Sequence, residues 1–345
     1  MIAFVPGIEL ARGFYREAVA PLLAGIPHSA ALLGQGSEVL GFDTARSTDH
    51  DWGPRCEIFL DDGDPELIRR LDGLLTARLP STWHGYRTAF PHTHAPETRH
   101  RIVITHFEPW VRAKLGFDPL AGVTRADWLA VPTQPLAEFT GGAVFHDGLG
   151  VLEPARAALA WYPDDVWRYV LAVQWQRIAQ EEAFPGRCAE VGDELGAAVV
   201  TARLIRDLMR LWLLMLRRYP PYSKWLGSAF AALPELGDLP DHLRAALAAT
   251  DHPTRESYLA AAYEQTVRRH NALQLTEPID PHTRPYYDRP FQVIEAERIV
   301  HALLPAPQPP LTGAIDQFVD STDALGDHTL LRRIIGTPVT DIHCG

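Results

Sequence analysis

The chain has 345 residues, of which 46% are hydrophobic and 22% are charged. This composition predicts an ordered globular protein with room for two domains, and it excludes a chain that is disordered over long stretches. The formal net charge of -11 argues against broad, sequence-independent binding to nucleic acid, since no basic surplus exists to neutralise a phosphate backbone.

The cysteines, the N-terminal residues and the apolar runs indicate the kind of environment in which the protein is found. The cysteines, Cys56, Cys188 and Cys344, are too few and too scattered for a disulfide framework or a zinc motif. Residues 1–7 lack the positive region and the apolar core of a signal peptide. No apolar run is long enough to span a bilayer. We therefore expect a soluble, cytoplasmic protein that has no membrane partner.

The first third of the chain predicts a small sheet covered by helices. Residues 8–26 place apolar side chains at helical spacing and predict an amphipathic helix. A short apolar run from Ala30 to Leu33 predicts a buried strand, and a second β-prone run ends at Leu60. The next predicted elements are a helix over residues 64–79, a loop over 83–100 and a third strand over 101–107.

One stretch between the first two strands carries the most distinctive pattern. The pair Gly36-Ser37 follows the first strand, where a turn offers unpaired backbone N–H groups and a hydroxyl to an anion. If the chain is extended from Asp49 to Leu60, the carboxylates of Asp49 and Asp51 project from the same face. Two such carboxylates repel each other, and a hard divalent cation relieves the repulsion. The stretch therefore predicts a metal site beside a phosphate-binding turn.

The order of a strand, a Gly-Ser turn and an Asp-x-Asp on the next strand resembles the signature of the nucleotidyltransferase superfamily, the fold of DNA polymerase beta and of antibiotic-modifying nucleotidyltransferases. The resemblance implies that Gly36 and Ser37 hold a nucleoside triphosphate, with ATP the expected one, and that Asp49 and Asp51 hold Mg²⁺ or Mn²⁺. It also implies transfer of a nucleoside monophosphate to a hydroxyl of a small molecule or a protein. The superfamily often has a third carboxylate on the third strand, whereas here Glu108 lies just past that strand.

Two further features leave alternatives open. Arg55 lies four residues past Asp51, and it is predicted either to neutralise a phosphate or to form a structural ion pair with Asp51. The histidine-rich segment leaves a phosphohydrolase as a weaker alternative, with a transition metal bound by His92 and His94. His106, at the end of the third strand, is placed where it would face the metal ions.

The second half of the chain predicts mainly helices. Residues 129–150 mix turn residues with short apolar pieces, which we interpret as the passage between domains. Leu204, Leu208, Leu211 and Met215 recur at helical spacing and predict a buried helix face. Helices are predicted over residues 164–184, 190–219, 223–232, 240–249, 254–271 and 291–303, with a Pro-rich connector over 304–310 and a last helical stretch over 313–318.

Polar stripes on the predicted helices supply more candidate site residues. If the helical part faces the nucleotide, Arg203 and Arg210 would hold phosphates and Glu181 would act as the general base. Lys224 stands beside aromatic residues, in a position suited to a phosphate or an adenine ring. For each of these residues the alternative is an ordinary solvated or core position. The further candidates for the base are Glu182 and Asp193.

The predicted fold is α+β, with a small mixed β-sheet domain of nucleotidyltransferase type over residues 1–130. An antiparallel helical bundle over residues 131–345 is predicted to close over the nucleotide. Much of the chain also resembles a bacterial family of domains of unknown function, numbered 4037, in segments such as L-G-F-D-T-A-R-S-T-D-H-D-W-G-P-R, Q-E-E-A-F-P-G-R and P-P-Y-S-K-W. That resemblance brings no reaction with it. The alternative to an enzyme is a protein that keeps the fold but has lost catalysis, and that serves as a nucleotide sensor or an interaction partner.

Overall fold

The structure, a computed structural model, describes residues 4–49, 51–61, 65–92, 95–305 and 312–335. The chain divides into two compact units. The first combines Met1–Asp127 with Gln134–Ala160, and the second combines Trp128–Thr133 with Trp161–Gly345. A mixed sheet followed by a helical region confirms the α+β class. The domain boundary predicted after residue 130 stays a prediction.

A mixed sheet forms the centre of the first unit. Its strands, together with a small hairpin, are β1 (His28–Leu32), β2 (Arg55–Leu60), β3 (Thr82–Trp83), β4 (Tyr86–Arg87), β5 (Ala89–His92), β6 (Ala95–His106) and β7 (Ala143–Asp147). The sheet has the order β5-β6-β2-β1-β7, and β3 pairs with β4. Because β2 is antiparallel to β1 and parallel to β6, the end of β1 and the start of β2 meet. We call this end, marked by Leu32, Arg55 and Arg101, the bend end of the sheet.

The side chains of β2 alternate between two environments. Those on one face join a buried apolar cluster that includes Phe14, Cys56, Ile58, Leu60, Leu71 and Leu75. The other face carries Arg55, Glu57 and Phe59. The ring of Phe59 lies 5.8 Å from that of Phe107 and 5.1 Å from that of Trp110. On this second face the polar residues therefore lie at the bend end, and Phe59 lies farther along the strand.

Helices cover this sheet. The helix predicted over residues 8–26 is present as α1 (Gly7–Phe14), a π-helical turn (Tyr15–Val19) and a 3₁₀ turn (Ala20–Leu23). α2 (Pro65–Arg78) confirms the next prediction, although Asp64, its predicted first residue, lies outside the described residues. The helices that follow are α3 (Phe107–Leu115), α4 (Arg125–Ala130), α5 (Thr133–Thr140) and α6 (Leu152–Ala158).

Two predictions for irregular segments differ from the structure. The loop predicted over residues 83–100 is wrong, because most of this segment lies in β3, β4, β5 and β6. The strands of a hairpin are held by backbone hydrogen bonds. The mixed His, Thr and Pro side chains of this segment do not show the two-residue alternation of apolar and polar residues by which a strand is recognised. The segment 129–150, interpreted as a passage, contains α5 and β7, and β7 pairs with β1 as an outer strand of the sheet.

The second unit is built from helices and one hairpin. The hairpin consists of β8 (Arg284–Tyr286) and β9 (Arg289–Val293), so the helix predicted over 291–303 is wrong at its start. Residues 306–310 of the predicted Pro-rich connector lie outside the described residues. The helices are α7 (Asp164–Glu181), α8 (Phe184–Glu190), α9 (Glu194–Met215), α10 (Ser223–Ala231), α11 (Leu239–Ala248), α12 (His252–Ala272), α13 (Glu297–Leu303), α14 (Thr322–Leu325) and α15 (His328–Ile335).

Large aromatic side chains fill the core between α7, α9 and α12. Trp175, Trp212 and Tyr263 are buried there, and the indole N–H of Trp212 donates to Oγ1 of Thr266 at 3.0 Å. The buried face predicted on α9 is confirmed, since the residues at positions 204, 208, 211 and 215 are at most 1% exposed. In the part of the chain that the structure describes, no helix is long and apolar enough to cross a membrane.

Candidate functional site

The bend that follows β1 packs directly onto the first residue of β2. Gly36 has a φ of 148°, which L side chains rarely adopt. A Cβ atom at Gly36 would clash with the guanidinium of Arg55 and would lie 2.7 Å from Oε2 of Glu38. Beyond the bend, the N–H of Phe42 donates to the carbonyl of Ser37 at 2.8 Å. The sequence therefore needs glycine at position 36 for both its backbone conformation and its lack of a side chain.

Arg55 and Glu38 form a buried ion pair beneath this bend. Nε and Nη2 of Arg55 lie 2.9 and 2.7 Å from Oε1 of Glu38, and the side chains are 16% and 4% exposed. Nη2 also donates to the carbonyl of Gln35 at 2.6 Å. Burial lowers the pKa of Arg55, but the carboxylates of Glu38 and Glu57 outweigh burial and raise it. Arg55 thus forms an ion pair and is hydrogen-bonded to Glu38.

The loop between the bend and β2 is anchored by Asp43. Its Oδ2 accepts the N–H of Gly7 at 2.7 Å and the indole N–H of Trp52 at 3.1 Å. These two contacts hold the loop at the start of α1. Within the loop, Asp49 is the last residue of a 3₁₀ helix, and Asp51 has a φ of 52°. The chain therefore turns through both acidic residues before it enters the sheet.

The extended conformation predicted from Asp49 to Leu60 is wrong for its first part, because β2 begins only at Arg55. Strand alternation therefore does not place Asp49 and Asp51 on one face. Asp49 is exposed and Asp51 is half-buried. The carboxylate of Asp51 interacts electrostatically with the guanidinium groups of Arg55 and Arg101. The second acidic residue of the pair thus interacts with the two arginines that mark the bend end of the sheet.

The strand predicted over residues 101–107 is part of β6. Its first residue, Arg101, lies at the bend end of the sheet. Arg101 is in register with Arg55 there. His106, five residues farther along, is roughly 16 Å away at the usual rise of a strand. His106 and Glu108 therefore lie toward the opposite end of β6 from Asp51. At the bend end, this strand presents the cation of Arg101.

Glu57 was not singled out by the sequence pattern. It is 6% exposed, and its Oε2 accepts the N–H of Leu33 at 3.0 Å. Burial raises its pKa to about 7, although Arg55, the Leu33 N–H and Lys114 lower it. Burial raises the pKa of Glu138 as well, and Lys114 again opposes the shift. A signal for Glu57 exists in the sequence, since a lone charge inside the run C-E-I-F-L is unusual for a buried strand.

The candidates on α7 and α9 are paired within the second unit. Arg203 donates from Nε and Nη2 to the two carboxylate oxygens of Glu181, at 3.0 and 2.6 Å. The predicted phosphate ligand and the predicted general base therefore bind each other. Nη2 of Arg210 lies 3.2 Å from Oδ2 of Asp316, which also accepts the N–H of Thr133 at 2.9 Å.

The remaining candidates of the second unit have local roles. Glu182 accepts the N–H groups of residues 294–296 at 2.7 to 3.1 Å, while burial raises its pKa to about 7. Asp193 caps α9 by accepting a backbone N–H at 2.7 Å. Lys224 is exposed, with Nζ 5.0 Å from the centre of the Trp225 ring.

The side chains that could hold a metal ion are those of His, Cys, Asp and Glu. Among the described residues, no three His, Cys, Asp or Glu side chains come together in a group that could hold a metal ion. Magnesium takes one or two protein carboxylates and completes its coordination with substrate phosphates and water, so a magnesium site at Asp49 and Asp51 stays a prediction. His94 and the side chain of His92 lie outside the described residues, so the histidine-based metal site stays a prediction.

Comparison with known protein families finds a match for part of the chain. Residues 128–226 match the family described as Domain of unknown function (DUF4037). The segments Q-E-E-A-F-P-G-R and P-P-Y-S-K-W lie inside the matched range. Neither the curated proteins nor the solved structures give a match. The resemblance to the domain-of-unknown-function family is thereby confirmed over this range.

Proposed function

We propose that the chain is a magnesium-dependent nucleotidyltransferase that moves a nucleoside monophosphate from a nucleoside triphosphate, expected to be ATP, to a hydroxyl group. The observation that carries the proposal is the packing of Gly36 against Arg55, whose guanidinium interacts with the carboxylate of Asp51. The Gly36 bend and the acidic loop are thus both linked to one side chain, that of Arg55, within the first unit. The acceptor is a small hydroxylated molecule or a protein side chain.

The residues at the bend end have distinct roles in this proposal. The bend at Gly36 and the hydroxyl of Ser37 bind the triphosphate. Asp49 and Asp51 would hold Mg²⁺ or Mn²⁺, which when bound supplies positive charge to the attacking and leaving oxygens. The acceptor oxygen bonds to the α-phosphorus, the bond to the bridging oxygen breaks, and pyrophosphate leaves. Glu57 accepts the hydroxyl proton, a role that its pKa of about 7 suits.

Transfer of label tests the proposal. We would incubate the protein with nucleoside triphosphates labelled at the α-phosphate, with Mg²⁺ or Mn²⁺ and a cell extract that supplies acceptors. We expect a labelled product with the wild type, and none with Asp49→Ala or Asp51→Ala. Glu66→Ala, an exposed residue of α2, is the control and should retain transfer. Absence of label transfer from every triphosphate, with every acceptor pool tried, would count against the enzyme.

A catalytically inactive nucleotide sensor is the second candidate. It is favoured by residues 101–107, the strand on which the resemblance implies a third carboxylate, because they include no acidic residue, and by the lack of a three-acid group among the described residues. Equilibrium binding separates the two candidates. A sensor binds a triphosphate without releasing pyrophosphate, and Gly36→Ala weakens that binding. An enzyme releases pyrophosphate in step with the labelled product.

A further inference from the structure

Lys114 of α3 faces the bend that follows β1. A Cβ atom added to Gly34, two residues before Gly36, would lie 3.8 Å from Nζ of Lys114 and 3.9 Å from Cζ2 of Trp110. Trp110 and Lys114 are four residues apart on α3, so they lie on the same side of this helix. The ring of Trp110 also packs on that of Phe59, a residue of β2, at 5.1 Å. Lys114 therefore lies beside the start of the bend.

The amine of Lys114 keeps its hydrogen-bond donors for a ligand. Within the part of the chain that the structure describes, Nζ has no hydrogen-bond or ion-pair partner. The side chain is half-buried. An ammonium group carries three N–H donors, and removing its charge from water is costly unless an acceptor or an anion meets it. An anion at the bend would supply that partner.

Two buried carboxyl groups interact electrostatically with Lys114, but they form no ion pair with it. They belong to Glu57 and Glu138. Oε2 of Glu57 accepts the N–H of Leu33 at 3.0 Å, and Oε1 of Glu138 accepts a side-chain N–H of Gln134 at 2.6 Å. Burial raises the pKa of both carboxyl groups, which favours their uncharged forms. They therefore leave much of the charge of Lys114 uncompensated.

We propose that Lys114 binds a phosphate group of the nucleoside triphosphate at this bend. This proposal rests on the proposed function, which takes the triphosphate as the ligand of Gly36 and Ser37. Arg55 is already paired with the carboxylate of Glu38. The charge of a phosphate in a partly buried site is costly unless a further cation compensates it, and Lys114 supplies that cation. A lysine binds phosphate as a point charge on a flexible stem.

Titration calorimetry tests the proposal. The ligand is an ATP analogue with a methylene bridge between its α- and β-phosphates, together with Mg²⁺. We expect Lys114→Gln to weaken binding by about tenfold or more, the usual effect of losing a hydrogen bond to a charged group. Lys114→Arg should lose less, since arginine keeps the charge. Arg112→Gln is the matched control on α3, because Arg112 is an exposed cation paired with Glu108 at 2.8 Å, and it should bind as the wild type does.

Acetylation of amines gives a second measurement, which needs no variant. Lys114 and Lys224 are the only lysines of the chain, so few side chains react, and mass spectrometry of peptides follows each of them. We expect saturating ATP analogue with Mg²⁺ to protect Lys114 from acetylation. Inorganic tripolyphosphate should protect it as well, since it carries the phosphates alone. The exposed Lys224 is the reference, and its rate of acetylation should not change.

The outcomes separate this inference from the function on which it rests. Wild-type affinity in Lys114→Gln, or no protection of Lys114 by bound ligand, would overturn the role of Lys114 and leave the proposed function standing. An equal loss of affinity in Arg112→Gln would overturn it too, as would equal protection of both lysines. A wild-type protein that binds no triphosphate would overturn both proposals. A melting temperature shows whether each variant is folded, and acetylation of the wild type decides if Lys114→Gln is not.

Discussion

Oε1 of Glu38 lies 2.7 Å from Nη2 of Arg55, and this ion pair is buried beneath the Gly36 bend. Removal of one charge leaves the other without its partner in a largely buried site. We expect Glu38→Gln to lower the free energy of unfolding by about 3 kcal/mol, measured by urea denaturation. Glu108→Gln, which breaks the exposed Glu108–Arg112 pair, should change it by less than about 1 kcal/mol. Equal effects of the two substitutions would show that burial does not increase the contribution of the Glu38–Arg55 pair to the free energy of unfolding.

Substitution of glycine at two positions tests the geometry of the bend. Gly36→Ala combines an unfavourable φ with a clash against Arg55, so we expect a loss of about 1 to 3 kcal/mol in the free energy of unfolding. Gly73→Ala is the matched control, since nothing lies within 4 Å of the added methyl group in α2. There alanine should raise stability by about 0.5 to 1 kcal/mol. A neutral Gly36→Ala would contradict the packing of the bend on Arg55.

The pKa of Glu57 predicts a specific dependence of stability on pH. Its pKa is raised to about 7 in the folded protein, against 4.5 as the ordinary value. The folded state therefore binds more protons between these two values, and stability falls as the pH rises through this window. Glu57→Gln removes the titrating group and keeps an acceptor for the N–H of Leu33. We expect the variant to gain stability relative to the wild type between pH 5 and pH 8.

The gain in stability of Glu57→Gln relative to the wild type is about 3 kcal/mol if the pKa of Glu57 rises from 4.5 to about 7 on folding. Urea denaturation of wild type and Glu57→Gln at both pH values measures it. Glu66→Gln, on the exposed surface of α2, controls for the loss of one negative charge. A stability difference between wild type and Glu57→Gln that is the same at both pH values would show that Glu57 titrates normally in the folded protein.

Glu182 predicts a stability effect in the second unit. Its carboxylate accepts three consecutive N–H groups, those of residues 294–296, ahead of α13. Glu182→Ala leaves these buried donors without a partner, and we expect a loss of about 3 kcal/mol or more in the free energy of unfolding. Glu190→Ala, at a half-exposed carboxylate of α8, should cost far less. Hydrogen exchange should also speed up at the amides of residues 294–296, and unchanged exchange would contradict the assigned contacts.

The apolar patterns of the sequence predicted most helices and the first two strands, because a buried face must repeat at the period of its element. Position 215, for example, lies on a face of α9 that is buried as expected. The strands in the segment 83–100 could not be recognised, because their pairing is a property of the backbone and their side chains are mixed. The hairpin before α13 escaped prediction for the same reason.

The candidate site was predicted only in part from the sequence. The sequence indicated Gly36 as a bend, and in the structure the bend packs on Arg55, with which the carboxylate of Asp51 interacts electrostatically. The conformation of the acidic loop depends on the contact of Asp43 with Gly7, 36 residues away in the chain, and no local pattern reveals such a contact. The partner of Arg55 likewise depends on tertiary packing. Arg203 and Glu181 were assigned separate roles because sequence spacing cannot show that two helices bring them together.

The position of β7 at the edge of the sheet limits how the chain can be divided for expression. A recombinant fragment that stops at residue 130 lacks the partner of β1 from Ser29 to Leu32. The backbone donors and acceptors on that side of β1 would then be open to pairing with another copy, which is a common route to aggregation. A fragment that continues to residue 160 retains the protective strand, so it is the better choice for crystallisation or labelling of the bend end alone.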